Sequence, residues 1–393
     1  MKRSIKTIYL DNAATTFPKP DSVRMAVERT LRYGCGNPGR SSHRIALRAA
    51  ETVFSCRSKL AALFGGTDEN VVFTSSATHS LNLAIKSALR RGDHVLISDI
   101  EHNSVLRPVH TLAEHGMISY DFYRASANPE ELIRGVLPLI RPNTAMIVAC
   151  HHSNICNLVQ PLDALGALCR KRGILFTVDA SQSAGILNID MQKQFIDILC
   201  APGHKGMYGI PGSGFVLFGE RFSGENGCLL NTFTEGGNGI RSKEPFMPCF
   251  LPERLEAGTL PVPAVAALSA GIDFLSARGI SNIAENEKRL YRKLRRGFAD
   301  IGKKITVYGD GTPGGILLFS AGNIPSEELA SYLDTYGICV RAGLHCAPRA
   351  HTLLGTPEDG AVRVSFGAFN TERDVDALLN AVELLLRKRP RHN

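Results

Sequence analysis

Ile174-Leu175-Phe176-Thr177-Val178 and Phe195-Ile196-Asp197-Ile198-Leu199-Cys200 are short apolar runs of the length and residue type that buried strands have. The first ends on Asp179. The second runs into Ala201-Pro202-Gly203-His204-Lys205-Gly206, a Pro/Gly loop that carries a His and a Lys. Similar runs recur at 71–73, 94–98, 145–149 and 213–218, and helical spacing fills segments such as 81–88 and 162–171 between them. Strands separated by helices imply a mostly parallel, doubly wound α/β sheet. In such sheets ligands sit at the carboxyl ends of the strands, so the residues just past each run become the candidates for function.

An acid at one strand end and a lysine just past the next is the layout that pyridoxal phosphate needs. The amine takes the cofactor's aldehyde, and the carboxylate keeps the ring nitrogen protonated so that the ring accepts electrons. Asp and Lys at strand ends also serve as solvated caps, so the other strand ends carry weight. Thr74-Ser75-Ser76-Ala77-Thr78-His79-Ser80 joins a strand to a helix start, which makes either an anion site or a plain Ser/Thr cap. His102, in Glu101-His102-Asn103-Ser104, stands at another strand end, where a ring can stack on a planar cofactor or move a proton; the alternative is a surface loop histidine.

Cys150-His151-His152 and Cys156 are zinc-capable residues, but their spacing fits no zinc signature, and side chains at a strand end point apart. No metal is expected there. Asn154, beside them, has an amide that can bind a cofactor oxygen or a carboxylate. Cys346 lies in Arg341-Ala342-Gly343-Leu344-His345-Cys346-Ala347-Pro348, where neighbouring Arg341 and His345 favour a nucleophilic thiolate. Arg363 interrupts an apolar strand and needs an anionic partner, either a substrate carboxylate or a structural acid.

At 393 residues the chain is long enough for a large domain and a smaller one. The sheet pattern and the irregular stretch after it place a large domain at 21–262. Mixed short strands and helices give a smaller α+β domain at 263–393, joined by an N-terminal arm, 1–20. A cap at Ser41-Ser42-His43 is expected to open a long helix reaching about Phe64. The net charge of +8 is partly concentrated in the tail Arg387-Lys388-Arg389-Pro390-Arg391, a solvated helix end without interleaved aromatics, so nucleic acid is not an expected partner. After Met1-Lys2-Arg3, the apolar Ile8-Tyr9-Leu10 is too short for an export signal, and no apolar run reaches membrane-spanning length. Ten cysteines in such a chain are expected to be reduced thiols, and the protein cytoplasmic.

The ordered motifs Tyr9-Leu10-Asp11-Asn12-Ala13-Ala14-Thr15, Thr74-Ser75-Ser76-Ala77-Thr78, Glu101-His102-Asn103, His152-Ser153-Asn154, Val178-Asp179-Ala180-Ser181-Gln182, Gly203-His204-Lys205, Glu256-Ala257-Gly258-Thr259, Arg341 to Ala347 and Arg363-Val364-Ser365 resemble those of the cysteine desulfurases. These are fold-type I pyridoxal-phosphate enzymes of the class V aminotransferase superfamily, and the resemblance runs from Tyr9 to Leu386. The Cys346 loop is similar to that of the branch related to selenocysteine lyases. The resemblance implies that Lys205 carries the cofactor, Asp179 meets its pyridine nitrogen, His102 stacks on its ring and Gln182 meets its ring hydroxyl. It makes Ala77, Thr78 and His204 phosphate ligands, with Thr259 donated across a homodimer interface. Asn154, Arg363 and Arg341 then bind the substrate, the first two at its carboxylate, and Cys346 accepts sulfur. The implied reaction converts L-cysteine to L-alanine with a persulfide left on Cys346 for a sulfur-acceptor protein or small thiol. Alternatives are a selenocysteine lyase, another class V lyase or aminotransferase, or a catalytically idle sulfur-relay scaffold. Pro202 stands where many relatives carry a serine, His79 where Glu is commoner, and Leu344 where His is commoner.

Overall fold

Two compact units share the chain: Lys19–His151 with Val159–Arg278, and Met1–Pro18 with His152–Leu158 and Gly279–Asn393. The computed structural model describes residues 7–39, 42–309, 311–312 and 314–388. Met1-Lys2-Arg3, Ser41 of the expected cap, and Arg389, Pro390 and Arg391 of the basic tail lie outside the described residues.

The first strand, β1 (Ile8–Tyr9), belongs to the smaller unit. In the larger unit β2 (Val71–Thr74), β3 (Asp93–Ser98), β4 (Ile118–Tyr123), β5 (Thr144–Cys150), β6 (Leu175–Asp179), β7 (Ile198–Pro202) and β8 (Gly214–Phe218) follow. They form one seven-stranded sheet in the order β2-β8-β7-β6-β5-β3-β4. Only β8 runs against the rest, antiparallel to both β2 and β7. β6, β7 and β8 are buried along their whole length, which is why they read as continuous apolar runs. β4 is an edge strand with Ser119 and Asp121 in its half-buried middle, so it carries no such run. β7 starts later than the apolar run does. Phe195 takes a left-handed backbone (φ 51°) in a turn after Asp190, and pairing begins only at Ile198.

Local chemistry fixes where the helices start and stop. Ser76 accepts the His79 N–H (3.2 Å) and caps the helix Ala77–Ala88. His43, through ring Nδ1, takes the Ala46 N–H and caps Arg44–Phe64, which ends on left-handed Gly65 (φ 69°). Against one sheet face Leu81, Ile85, Val105 and Val109 bury with Val72, Val95, Ile97, Val148 and Val216. Each such side chain contributes about 1.5–3 kcal/mol relative to exposure.

In the smaller unit β9 (Ile305–Tyr308), β10 (Ile316–Ala321), β11 (Ile338–Cys339) and β12 (Val362–Ser365) appear. β12, β10 and β9 make an antiparallel sheet in that order, while β1 pairs in parallel with β11. The helices Ile280–Ile301 and Glu372–Lys388 cover it through Leu290, Leu294, Phe298, Leu378 and Val382, and Leu10 from the arm joins this core. The helix Val262–Arg278 falls with the larger unit, not the smaller one, because it packs on Asp21–Tyr33 and Arg44–Phe64. Residues 152–158 fall with the smaller unit: Asn157 donates to the Thr312 and Ile316 carbonyls at 2.9 and 2.8 Å.

The irregular stretch after β8 contains a feature that the sequence reading did not expect. Cys228 and Cys249 are joined as a disulfide, with Gly227 packed so closely on Cys249 that a Cβ there would meet its carbonyl. Cys56, Cys150, Cys156, Cys169 and Cys200 are buried and take no part in that disulfide. No described helix is long and apolar enough to cross a membrane.

Candidate functional site

In the larger unit the parallel register lines up Cys150, Asp179 and Cys200 across β5, β6 and β7. Asp179 is buried at the end of its strand, and its Oδ1 accepts the Ser181 N–H at 2.9 Å. Gln182 is buried in the turn that follows. Beyond β7 the chain turns sharply. Gly203 N–H donates to the Ser213 carbonyl, Gly209 N–H to the Gly203 carbonyl, and Tyr208 N–H to the Lys205 carbonyl, at 2.7–2.8 Å. A Cβ on Gly206 would lie 2.4 Å from the Ala184 carbonyl oxygen, and one on Gly203 would lie 2.2 Å from Ser213 Oγ. Lys205 therefore sits on a loop pinned from both sides. Lys19 Nζ donates to the His204 carbonyl at 2.7 Å, and burial lowers that amine to about 8. Burial, with Lys205 and Lys19 nearby, lowers the His204 imidazole to about 4, so its ring is neutral.

Ala77 and Thr78 open their helix, whose first N–H groups have no intrahelical acceptor. Thr78 Oγ1 and Ser104 Oγ share a hydrogen bond of 2.8 Å, and Ser104 Oγ lies 2.8 Å from His102 Nδ1. The Ser104 N–H donates to the same Nδ1 at 3.1 Å, which leaves the proton of a neutral ring on Nε2. His79 keeps its ring on Ser75. These contacts bring Ala77, Thr78 and His102 together. Thr259 is exposed, and its Oγ1 accepts from Asn37 Nδ2 at 3.3 Å.

Two acids that sequence reading passed over support this edge. Glu101 Oε1 accepts from Ser98 Oγ and from the Cys150 N–H, both at 2.6 Å. Its Oε2 is buried without a partner among the described residues. Burial, with Asp179's charge adding to it, pushes the Glu101 carboxyl up to about 8, so it is protonated at neutral pH. Glu256 Oε2 lies 2.6 Å from Arg57 Nη2, and its Oε1 takes the Phe73 N–H at 2.5 Å. The Arg57 guanidinium also donates to the Val71 carbonyl and covers the Phe73 ring. This buried pair ties the segment leading to Thr259 onto β2. The signal in the sequence was an acid just before each motif's named residue, Glu101 before His102 and Glu256 before Thr259.

In the smaller unit Arg363 is 1% exposed, and its Nη2 lies 2.7 Å from Asp11 Oδ1 while Nη1 donates to the Asn154 carbonyl (3.1 Å). Asp11 is thus the structural acid that the sequence left open. Arg363 Nε and Asn154 Oδ1 are buried with no partner among the described residues, and Asn154 Nδ2 donates to the His345 carbonyl at 2.8 Å. Cys346 is exposed, and Arg341 Nη2 lies 3.9 Å from its Sγ. His345 does not assist as a cation. It is buried and its ring is lowered to about 3, first by burial and then by the Arg363 charge. Arg341 is the cation beside the thiol. Among the described residues no three His, Cys, Asp or Glu side chains gather as a metal site.

Comparisons with known proteins show what the chain as a whole is similar to. The profile of the family described as Aminotransferase class-V matches residues 8–378. A protein of Pseudomonas putida named probable cysteine desulfurase is 33% identical over 387 residues, 96% of this chain and 94% of its own. One of the same name from Methanothermobacter thermautotrophicus is 30% identical over 384 residues, 96% and 94% of the two chains. Among solved structures, a cysteine desulfurase of Thermococcus onnurineus superposes with a TM-score of 0.88 at 27% identity, covering 98% of this chain and 95% of that one. A sulfonic-acid form of an Escherichia coli cysteine desulfurase gives 0.86 at 26% identity, covering 97% and 95%. With a profile that spans nearly its whole length, the chain belongs to the aminotransferase class-V family.

Proposed function

We propose that this protein is a pyridoxal-phosphate-dependent cysteine desulfurase that converts L-cysteine to L-alanine and keeps the sulfur as a persulfide on Cys346. The observation that carries the reading is the exposed Cys346 thiol beside the Arg341 guanidinium, on a chain that also sets Lys205 on a pinned loop one strand from Asp179. The residues fit the cofactor by their chemistry. An amine suits its aldehyde, a buried carboxylate its pyridinium nitrogen, and the amides of a helix start its phosphate.

Lys205 would hold the cofactor, Asp179 its ring nitrogen and Gln182 its ring hydroxyl. His102 would cover the ring. Ala77, Thr78, His204 and Thr259 would hold the phosphate, His204 as a neutral N–H donor. When bound, pyridoxal phosphate supplies an electron sink for the charge left at the substrate α-carbon. Lys205 takes the α-proton, and Asn154 and Arg363 bind the substrate carboxylate, for which Arg363 still has its Nε–H. Arg341 stabilises the Cys346 thiolate, which attacks the substrate sulfur. The carbon–sulfur bond breaks, an S–S bond forms, and the remaining carbon skeleton takes a proton to leave as alanine. The persulfide then passes to an acceptor protein or small thiol. The same reading makes the protein a homodimer, with Thr259 offered to the neighbouring copy. It also places the protein in the cytoplasm, where Cys346 stays reduced.

Borohydride reduction followed by peptide mapping tests the first half: the pyridoxyl group is expected on Lys205, and its appearance on another lysine overturns the assignment.

A further inference from the structure

Cys346 and the residue before it both hold left-handed backbones, with φ of 51° at His345 and 58° at Cys346. Two consecutive non-glycine residues in that region are strained, and such strain persists only where the surroundings over-determine it. The surroundings here form a chain of neutral rings. His345 Nε2 lies 3.1 Å from the Arg341 carbonyl oxygen, and its Nδ1 lies 3.1 Å from His351 Nε2. His351 Nδ1 lies 2.9 Å from Thr356 Oγ1. The two imidazoles are buried and meet edge to edge, with planes 8° apart.

The proton positions follow from the acceptor at one end. The Arg341 carbonyl can only accept, so His345 Nε2 carries a proton and His345 Nδ1 must accept. His351 Nε2 then donates, its Nδ1 accepts, and the Thr356 hydroxyl closes the chain as donor. Each ring carries one proton, which agrees with both being held neutral, His345 lowered to about 3 and His351 to about 4. Thr356 reaches the ring because the helix Pro348–Leu354 stops on left-handed Gly355.

We infer that His351 is a positioning residue for the Cys346 thiol, acting through His345 to fix the Arg341 carbonyl and the turn that presents Sγ beside the Arg341 guanidinium. Its importance for turnover rests on the desulfurase reading above, whereas its effect on the thiol does not. Removing the His351 donor leaves His345 Nδ1 buried with no partner, and the strained turn loses its brace.

His351→Met and His351→Gln separate positioning from packing, since both side chains reach as far as Nε2 but only Gln supplies an N–H. In the holoprotein, alkylation of Cys346 by iodoacetamide, followed by peptide mapping with exposed Cys35 as internal control, should fall about tenfold in the Met variant and stay within about threefold of wild type in the Gln variant. The kcat for alanine formation should fall in parallel while KM for cysteine holds. Wild-type Cys346 alkylation in the Met variant, or equal loss in both variants, overturns the inference. Loss of Cys346 reactivity in the Met variant alone, with alanine formation untouched, upholds the positioning role and overturns the Cys346 mechanism instead.

Discussion

Arg363 heads the large side chains buried to below 2% exposure, and a guanidinium so placed is tolerable only while its anion stays with it. Burial pulls it down and Asp11 holds it charged. Arg363→Ala should therefore cost about 3–5 kcal/mol of stability as well as weakening cysteine binding, because it strands Asp11 and frees the N-terminal arm. Chemical denaturation reads this directly, and an unchanged midpoint would mean that the pair is not structural. Glu101 gives the opposite pH signature to the histidines. Its folded-state value, about 8, lies above its ordinary 4.5, so its contribution is complete below pH 4.5 and is lost as pH rises through 8. The Tm of Glu101→Gln, relative to wild type, should therefore climb by several degrees between pH 5 and pH 8. His345 and His351, lowered from 6.5 to about 3 and about 4, contribute above pH 6.5 and lose that contribution as pH falls through their folded values. A flat difference between wild type and Glu101→Gln would mean that Glu101 is not held protonated.

The loop after β7 is the element on which the site depends, and Gly206 shows how tightly it is seated. Gly206→Ala must displace either the Ala184 carbonyl or the loop itself, since the two would approach to 2.4 Å. The expected outcome is a protein that still folds but retains several-fold less cofactor, measured as pyridoxal phosphate per chain after gel filtration; full retention would show that the loop has slack. The β6–β7 pair and its acid and lysine were legible in the sequence because strands buried on both faces leave continuous apolar runs. β4 was not, because an edge strand mixes polar residues into its exposed face. The role assigned to His345 as a cation also failed, for a physical reason. A flanking histidine looks electropositive in sequence, but burial and then the Arg363 charge, 18 residues further along the chain, hold its ring neutral. Asp11 as Arg363's partner lies 352 residues away in the chain, beyond the reach of any local pattern.

At the scale of the whole molecule, the helices Asp21–Tyr33 and Arg44–Phe64 leave Met25, Leu31, Tyr33 and Phe54 exposed, more large apolar side chains than a solvated pair of helices needs. Sedimentation at micromolar concentration should find a dimer, and Phe54→Asp should shift it toward monomer with loss of bound cofactor; a fully loaded, active monomer would contradict the role given to Thr259. The central claim, that sulfur leaves cysteine onto this chain's own thiol, has a direct measurement. Cys346→Ser holoprotein is mixed with L-cysteine, and alanine and protein-bound persulfide are quantified in a single turnover. The account predicts an unchanged visible absorbance of the bound cofactor, no persulfide and no alanine. Alanine formed at the wild-type rate would contradict it.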